Sequence, residues 1–211
     1  MDVNEIISLF YKDLQATTWY EYLAVFSGLL SVWYSKRESI LVYPVGLVNT
    51  IIYVVISLKA HLPGEATVNL YYTLMSLSGW YLWIKKDEST GRRLAVSRST
   101  VGEWMRQLIF FLIIAIVLFF VIRAFRSAFF EGAIPWADAL AAASAFTGMW
   151  LMTRKKLESW YWWILTNFIS VPLYFVKHFV FTSLYYLILL FLAFTGLSAW
   201  KKKLKPVYDA G

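Results

Sequence analysis

The feature that most constrains this chain is the recurrence of long stretches almost free of charge. A run of about 17–25 apolar residues, rising 1.5 Å per residue as a helix, matches the ~30 Å hydrocarbon core of a bilayer. Seven runs read as spans: 17–34, 40–58, 66–84, 108–122, 134–152, 160–176 and 179–200. The fourth has only fifteen uninterrupted apolar residues, which Phe125 extends while Arg123 snorkels. Between the last two, only Lys177 and His178 mark a turn. Backbone in lipid must satisfy its own hydrogen bonds, so the spans predict helices and the fold class is an all-α membrane protein. Charged residues make up 16% of the chain, against about 25% in soluble proteins, which leaves little for an extramembrane domain. The absence of cysteine excludes disulfides and thiolate metal sites. The first fifteen residues carry Asp2, Glu5 and Asp13 with no basic run before an apolar core, unlike a signal peptide.

The basic residues give the chain a direction. Lys36, Arg37, the six Lys and Arg between 85 and 106, Arg154, Lys155, Lys156 and the tail lysines (Lys205 the last) all fall on one side of a seven-span layout. That side holds fifteen of the twenty Lys and Arg residues. The positive-inside rule makes it cytoplasmic, with the N-terminus outside and the C-terminus inside. The net charge of +7 therefore reads as a topology signal and not as a nucleic-acid footprint.

The two halves also resemble each other. Phe26-Ser27-Gly28 corresponds to Phe146-Thr147-Gly148, and Asn49 to Asn167, 118 positions later. Lys59 and His61 correspond to Lys177 and His178; Gly79 to Trp83 correspond to Gly196 to Trp200, 117 positions later. A three-span unit leaves on the side opposite to its entry, so a single spacer span restores the orientation of a second copy. The predicted layout is 3+1+3 with parallel repeats, the arrangement of SWEET-type transporters, which hold substrate near the midplane. The segments are 1–16 (outside), 17–84 (first bundle), 85–107 (cytoplasmic loop), 108–130 (linker helix), 131–200 (second bundle) and 201–211 (cytoplasmic tail).

Span six carries the most chemistry. At 100° per residue, Trp160, Trp163 and Asn167 share an arc of about 60°. Indoles stack on flat rings and attract cations, and an amide offers a donor and acceptors. The plain alternative is an interfacial aromatic belt, to which Trp162, pointing away, is assigned along with packing. Asn167 and Asn49 lie too deep for anchors; each either faces a central path or joins helices by a hydrogen bond. Tyr53 and Tyr174 are secondary candidates. Gly79 and Gly196 predict close helix approach, while Trp83 and Trp200 read as belt anchors. Pro172 removes a donor inside span six and allows a kink; Pro44 could do the same in span two. Glu21 and Asp138, near corresponding outer span starts, are ordinary solvated residues or a means of steering cations inward.

No Asp, Glu, Lys, Arg or His sits in the middle of a span, which argues against proton relays, intramembrane proteolysis and a retinal Schiff base. No Gly-rich phosphate loop is present either. The chain reads as a passive facilitator without cofactors, leaving Na⁺ coordination by carbonyls and hydroxyls as the remaining route to coupling. A small-molecule membrane receptor or structural subunit is the alternative from another class, and an enzyme is the remotest.

The run Glu158-x-Trp160-x-x-Trp163-x-x-x-Asn167, followed by Ser170 to Tyr174 and a lysine, resembles the signature of PnuC-type vitamin transporters. Tyr71-Tyr72 and Ser78 to Trp83 resemble the corresponding first-half motif, with Ser78 replacing its commoner tyrosine. The resemblance implies two three-helix bundles joined by a central helix and facilitated diffusion of an unphosphorylated vitamin. A cytoplasmic kinase then traps the substrate. It also implies that Trp160, Trp163 and Asn167 contact nicotinamide riboside, the founding substrate. Relatives carry thiamine, riboflavin or deoxynucleosides, and Asn167 favours nicotinamide riboside over thiamine. Partners are thus the small-molecule substrate and the bilayer, with monomer and homo-oligomer both open.

Overall fold

Where nearly every side chain is apolar, the backbone amides are the main polar groups left to satisfy, and a helix satisfies them within the segment. The computed structural model describes residues 3–59, 63–86, 91–129 and 132–204. In chain order its helices are α1 (Val3–Ala16), α2 (Trp19–Lys36), α3 (Val42–Lys59), α4 (Pro63–Ile84), α5 (Val101–Ala124), α6 (Arg126–Phe129), α7 (Pro135–Thr153), α8 (Ser159–Val176) and α9 (Val180–Lys203). Each apolar run of the sequence lies on one long helix: α2, α3, α4, α5, α7, α8 or α9. By length and composition, α3, α5 and α9 are long and apolar enough to cross a membrane. Among the described residues, extended pairing is limited to the isolated bridges Lys86 with Arg93 and Ser97 with Lys156. Asp2, His61, Lys205 and the 130/131 boundary, used in the sequence analysis, lie outside the described residues.

Helix α1 is absent from the reading by apolar runs because its apolar residues recur at intervals. Ile6, Leu9, Phe10 and Leu14 are half-buried, and Val3, Ile7 and Tyr11 are exposed. Such a pattern marks a surface helix, not a span. It rests on α9, where Asp13 accepts the Phe181 N–H at 3.3 Å.

Local chemistry sets the helix ends. Glu21 accepts the Thr18 N–H at 2.6 Å, and Glu103 accepts the Thr100 N–H at 2.8 Å, in capping boxes at α2 and α5. Pro135 starts α7, where its missing N–H costs nothing. His178, at φ +64°, makes the sharp turn between α8 and α9 that the sequence marked so faintly. Glu38 and Lys155, at φ +56° and +50°, make the turns after α2 and α7.

Helices α2, α3 and α4 pack consecutively, as do α7, α8 and α9. The two sets meet where α2 touches α9 and α4 touches α7, and α5 packs on α7. Contacts are close because buried positions are small: α7 buries Ala137, Ala139, Ala141, Ala143, Ser144, Ala145, Thr147 and Gly148. The outside is the reverse. Helix α5 exposes Leu108, Ile109, Leu112, Ile113, Ile116, Val117 and Phe120, a surface far too apolar for water and suited to lipid.

Trp83 and Trp200 are not belt anchors. They are 3% and 0% exposed, in one core cluster with Tyr43, Met152, Leu157 and Trp160. The neighbouring glycines explain this, since a Cβ on Gly79 or Gly196 would collide with the ring of Tyr43 or Trp160. Each ring lies over a bare helix backbone and meets an indole edge-on, Tyr43 with Trp83 at 5.1 Å and Trp160 with Trp200 at 5.5 Å.

The loop between α4 and α5 docks on the α7–α8 turn, with Ser97 bonded to Lys155 and Leu157 through its backbone. Glu158, 4% exposed, accepts from the Ser99 N–H and hydroxyl. Gln107 donates to that hydroxyl and accepts the Trp162 indole N–H at 3.2 Å. Trp162 is therefore a packing residue that fixes α5 against α8.

Candidate functional site

The face of α8 predicted to bear a site divides into layers. Trp160 is 1% exposed and closed over by Gly196 and Trp200, so it forms a floor and not an open wall. Its indole N–H has no acceptor, nor do the buried Trp83 N–H and Tyr43 hydroxyl in the same cluster. One turn on, Trp163 is only half-buried. Gly148 of α7 makes room for it, since a Cβ there would lie 3.3 Å from the indole. Across the seam between α4 and α7, Tyr72 approaches Trp163 at 6.3 Å. Phe146 lies 6.2 Å from Tyr72 and 4.2 Å from Tyr71, whose hydroxyl donates to the Phe146 carbonyl at 3.0 Å. Tyr72, Phe146 and Trp163 thus bring three ring systems from three helices together.

Asn167 is one further turn along α8 and is 3% exposed. Among the described residues its amide has no hydrogen-bond partner. The sealed polar atoms left unsatisfied among the described residues are the Tyr43 hydroxyl and the Trp83 and Trp160 N–H groups, so the Asn167 amide, not being one of them, borders accessible space and is open to an outside partner.

The remaining candidates lie on α3 and near the end of α8. Asn49 donates to the Ala24 carbonyl at 2.7 Å, joining α3 to α2, and it packs with the Tyr185 hydroxyl over Gly28. Tyr53 lines a separate cavity of about 180 Å³ with Glu21 and Tyr185. Tyr174 stacks on Tyr186 at 5.0 Å near the end of α8, beside Lys177, which is paired with Asp138 at 2.7 Å. The structure therefore places Trp163 and Asn167 on successive turns above Trp160, brings Tyr53 and Tyr174, like Tyr72, within reach of Tyr186, and uses Asn49 to tie α3 to α2. Tyr72 and Phe146 escaped the sequence reading as site residues. The Tyr71-Tyr72 doublet was visible, but nothing in the sequence pairs α4 with α7.

A bundle with a lipid-suited exterior, a closely packed interior of small residues and an aromatic, amide-bearing recess defines a membrane transporter. The family model for the nicotinamide mononucleotide transporter matches residues 18–202, and the chain belongs to that family, one of transporters and not of enzymes. It is 24% identical over 203 residues to the nicotinamide riboside transporter PnuC of Escherichia coli (strain K12), covering 87% of this chain and 85% of that relative. It is 23% identical over 200 residues to the riboflavin/roseoflavin transporter RibM of Streptomyces davaonensis, covering 92% of each. The crystal structure of the vitamin B3 transporter PnuC shares its fold, with TM-score 0.69 at 20% identity over 96% of this chain and 92% of that one.

Proposed function

We propose that this protein carries nicotinamide riboside across the cytoplasmic membrane by facilitated diffusion, through a site bounded by Trp163, Asn167, Tyr72 and Phe146 above Trp160. The observation that carries the reading is the Asn167 amide, on a residue 3% exposed and without a partner among the described residues, next to a half-buried indole. The rings would sandwich a cationic aromatic base, and the amide would pair with a carboxamide or ribose hydroxyl. Similarity to nicotinamide riboside transporters supports the choice of solute. Similarity to a riboflavin transporter makes a flavin the second reading, and thiamine is the third.

We read α2–α4 and α7–α9 as parallel repeats joined by α5, with seven helices crossing the bilayer. Helix α3 maps onto α8 at both ends by adding 117 to its numbers. The Ser35 hydroxyl bonds the Met152 sulfur at 3.0 Å, and Lys155 pairs with Glu38 at 3.2 Å; both pairs are 117 apart in sequence. Residues that touch their own counterparts lie on a twofold axis, which supports an axis through these contacts. A uniform offset of 117 pairs Gly46 with Trp163, Thr50 with Asn167 and Asn49 with Thr166, one residue away from the Asn49–Asn167 correspondence expected from the sequence. In this reading Asn49 is interhelical glue. The basic end faces the cytoplasm, so the N-terminus is outside, and a cytoplasmic kinase acting on the delivered solute makes uptake effectively one-way. Lipid-facing helices leave room for association into homo-oligomers.

The test is intrinsic tryptophan fluorescence of the purified protein titrated with nicotinamide riboside, riboflavin and thiamine, together with uptake into liposomes. Saturable quenching and equilibrative flux are expected with nicotinamide riboside. Quenching by another vitamin alone would reject the solute but keep the carrier. Tight binding without flux would identify a receptor instead.

A further inference from the structure

Glu21 of α2 and Asp138 of α7 stand 117 residues apart, yet their surroundings differ. Asp138 accepts the Ile134 N–H at 2.6 Å and is neutralised by Lys177, whose ammonium lies 2.7 and 2.9 Å from its two oxygens. Glu21 accepts only from Thr18, through its N–H and hydroxyl at 2.6 Å each, and has no ion pair among the described residues. Glu21 lines the cavity of about 180 Å³ where α2, α3 and α9 meet. The other lining residues are Thr17, Val25, Tyr53, Phe181, Thr182 and Tyr185. Phe181 is held from behind by α1, through Asp13 and a 6.0 Å contact with Phe10. Inward, the Tyr185 hydroxyl reaches the Gly28–Asn49 contact, so the cavity lies on the seam between the two helix sets.

An uncompensated carboxylate with three aromatic rings is a chemistry for cations. The volume is below the roughly 300–1,000 Å³ of pockets that enclose drug-sized ligands, so it suits a single ring. We infer that the Glu21–Tyr53–Tyr185 cavity is an outer capture site for the cationic ring of the solute, occupied before the solute reaches Trp163 and Asn167. This rests on the proposed transport of a cationic nucleoside with α1 outside. The carboxylate would concentrate the cation at the mouth, an effect that ionic strength screens.

The test is uptake of radiolabelled nicotinamide riboside by proteoliposomes holding the parent, Glu21→Gln or Thr182→Lys. Glutamine retains the reciprocal cap on Thr18, so α2 keeps its start. Thr182→Lys keeps Glu21 but supplies a cation such as Asp138 already has. Both variants should raise KM about fivefold at low salt, leave maximal flux unchanged and flatten the salt dependence of KM. Uptake of the uncharged dihydro form should be unaffected. An unchanged KM in both variants, or an equal shift for the uncharged form, would overturn the capture site and leave the transport reading standing. Absence of flux in the parent would remove both.

Discussion

At a separation of 117 residues, Gly46 of α3 stands where α8 has Trp163, and Thr50 stands where α8 has Asn167. Ser31 beside Gly46 likewise answers to Gly148 beside Trp163. Thr50 is satisfied by the Thr73 hydroxyl at 2.9 Å, whereas Asn167 has no partner among the described residues. Nearer the basic end the two sets agree, with Tyr43 over Gly79 against Trp83, and Trp160 over Gly196 against Trp200. The lesson is that packing layers can be duplicated while the ligand layer diverges. A nucleoside has no twofold symmetry, so a site lined identically by both halves would fit only part of it.

The comparison breaks most easily at Asn167. Asn167→Leu should weaken solute binding by at least about tenfold while the protein still inserts and folds, because a hydrogen bond to a buried amide is lost. Thr50→Val should change binding by less than about threefold, its partner being another helix. Equal losses in fluorescence titrations would mean that both halves line the site.

Gly79→Ala and Gly196→Ala should each cost about 1–3 kcal/mol of stability, since the new methyl overlaps a ring that cannot retreat. Melting followed by tryptophan emission should show similar drops in the two variants. A drop in only one would deny the equivalence of the packing layers.

Gly148→Ala is milder, as its methyl would sit 3.3 Å from the Trp163 ring. Tilting that indole should weaken binding by about two- to fivefold, with a stability change under about 1 kcal/mol. Ser31→Ala at the corresponding place should leave binding unchanged, because Gly46 offers no ring to move.

The smallest effect concerns the first turn of α5, which follows the loop that docks on the second set. Glu103 pairs with Lys156 at 2.8 Å, and that lysine's hydrogen bond, with help from the Thr100 amide, holds the Glu103 carboxyl below its ordinary range. Its contribution is present above the ordinary value of 4.5 and disappears as pH falls through the lowered one. Glu103→Gln should therefore melt slightly below the parent at neutral pH, with the difference vanishing in acid. The residue corresponding to Lys156 is Ser39, which has no charge to offer.

Much of this was legible in the sequence. Apolar runs located every long helix because helical periodicity is unnecessary where all faces are apolar, and for the same reason they missed the amphipathic α1. The spacing of Trp160, Trp163 and Asn167 fixed their common face on α8, since angular position on a helix is a matter of counting. Counting alone could not say which of them faces open space. Trp160 is sealed because Gly196 lies opposite it, whereas Trp163 rests beside Gly148 with only the tilted Tyr72 ring 6.3 Å away and stays half-buried.

By itself, then, the sequence determined which segments suit lipid, where positive charge collects and which helix face bears indoles and an amide, all properties that act over a few adjacent turns. Tertiary structure decided the register of the two helix sets, the closing of Trp83, Trp160 and Trp200 into the core and the contrast between Glu21 and Asp138. Those depend on contacts between residues from about forty to more than a hundred positions apart, such as Trp160 with Trp200, Asp138 with Lys177 and Ser35 with Met152, which no local pattern encodes.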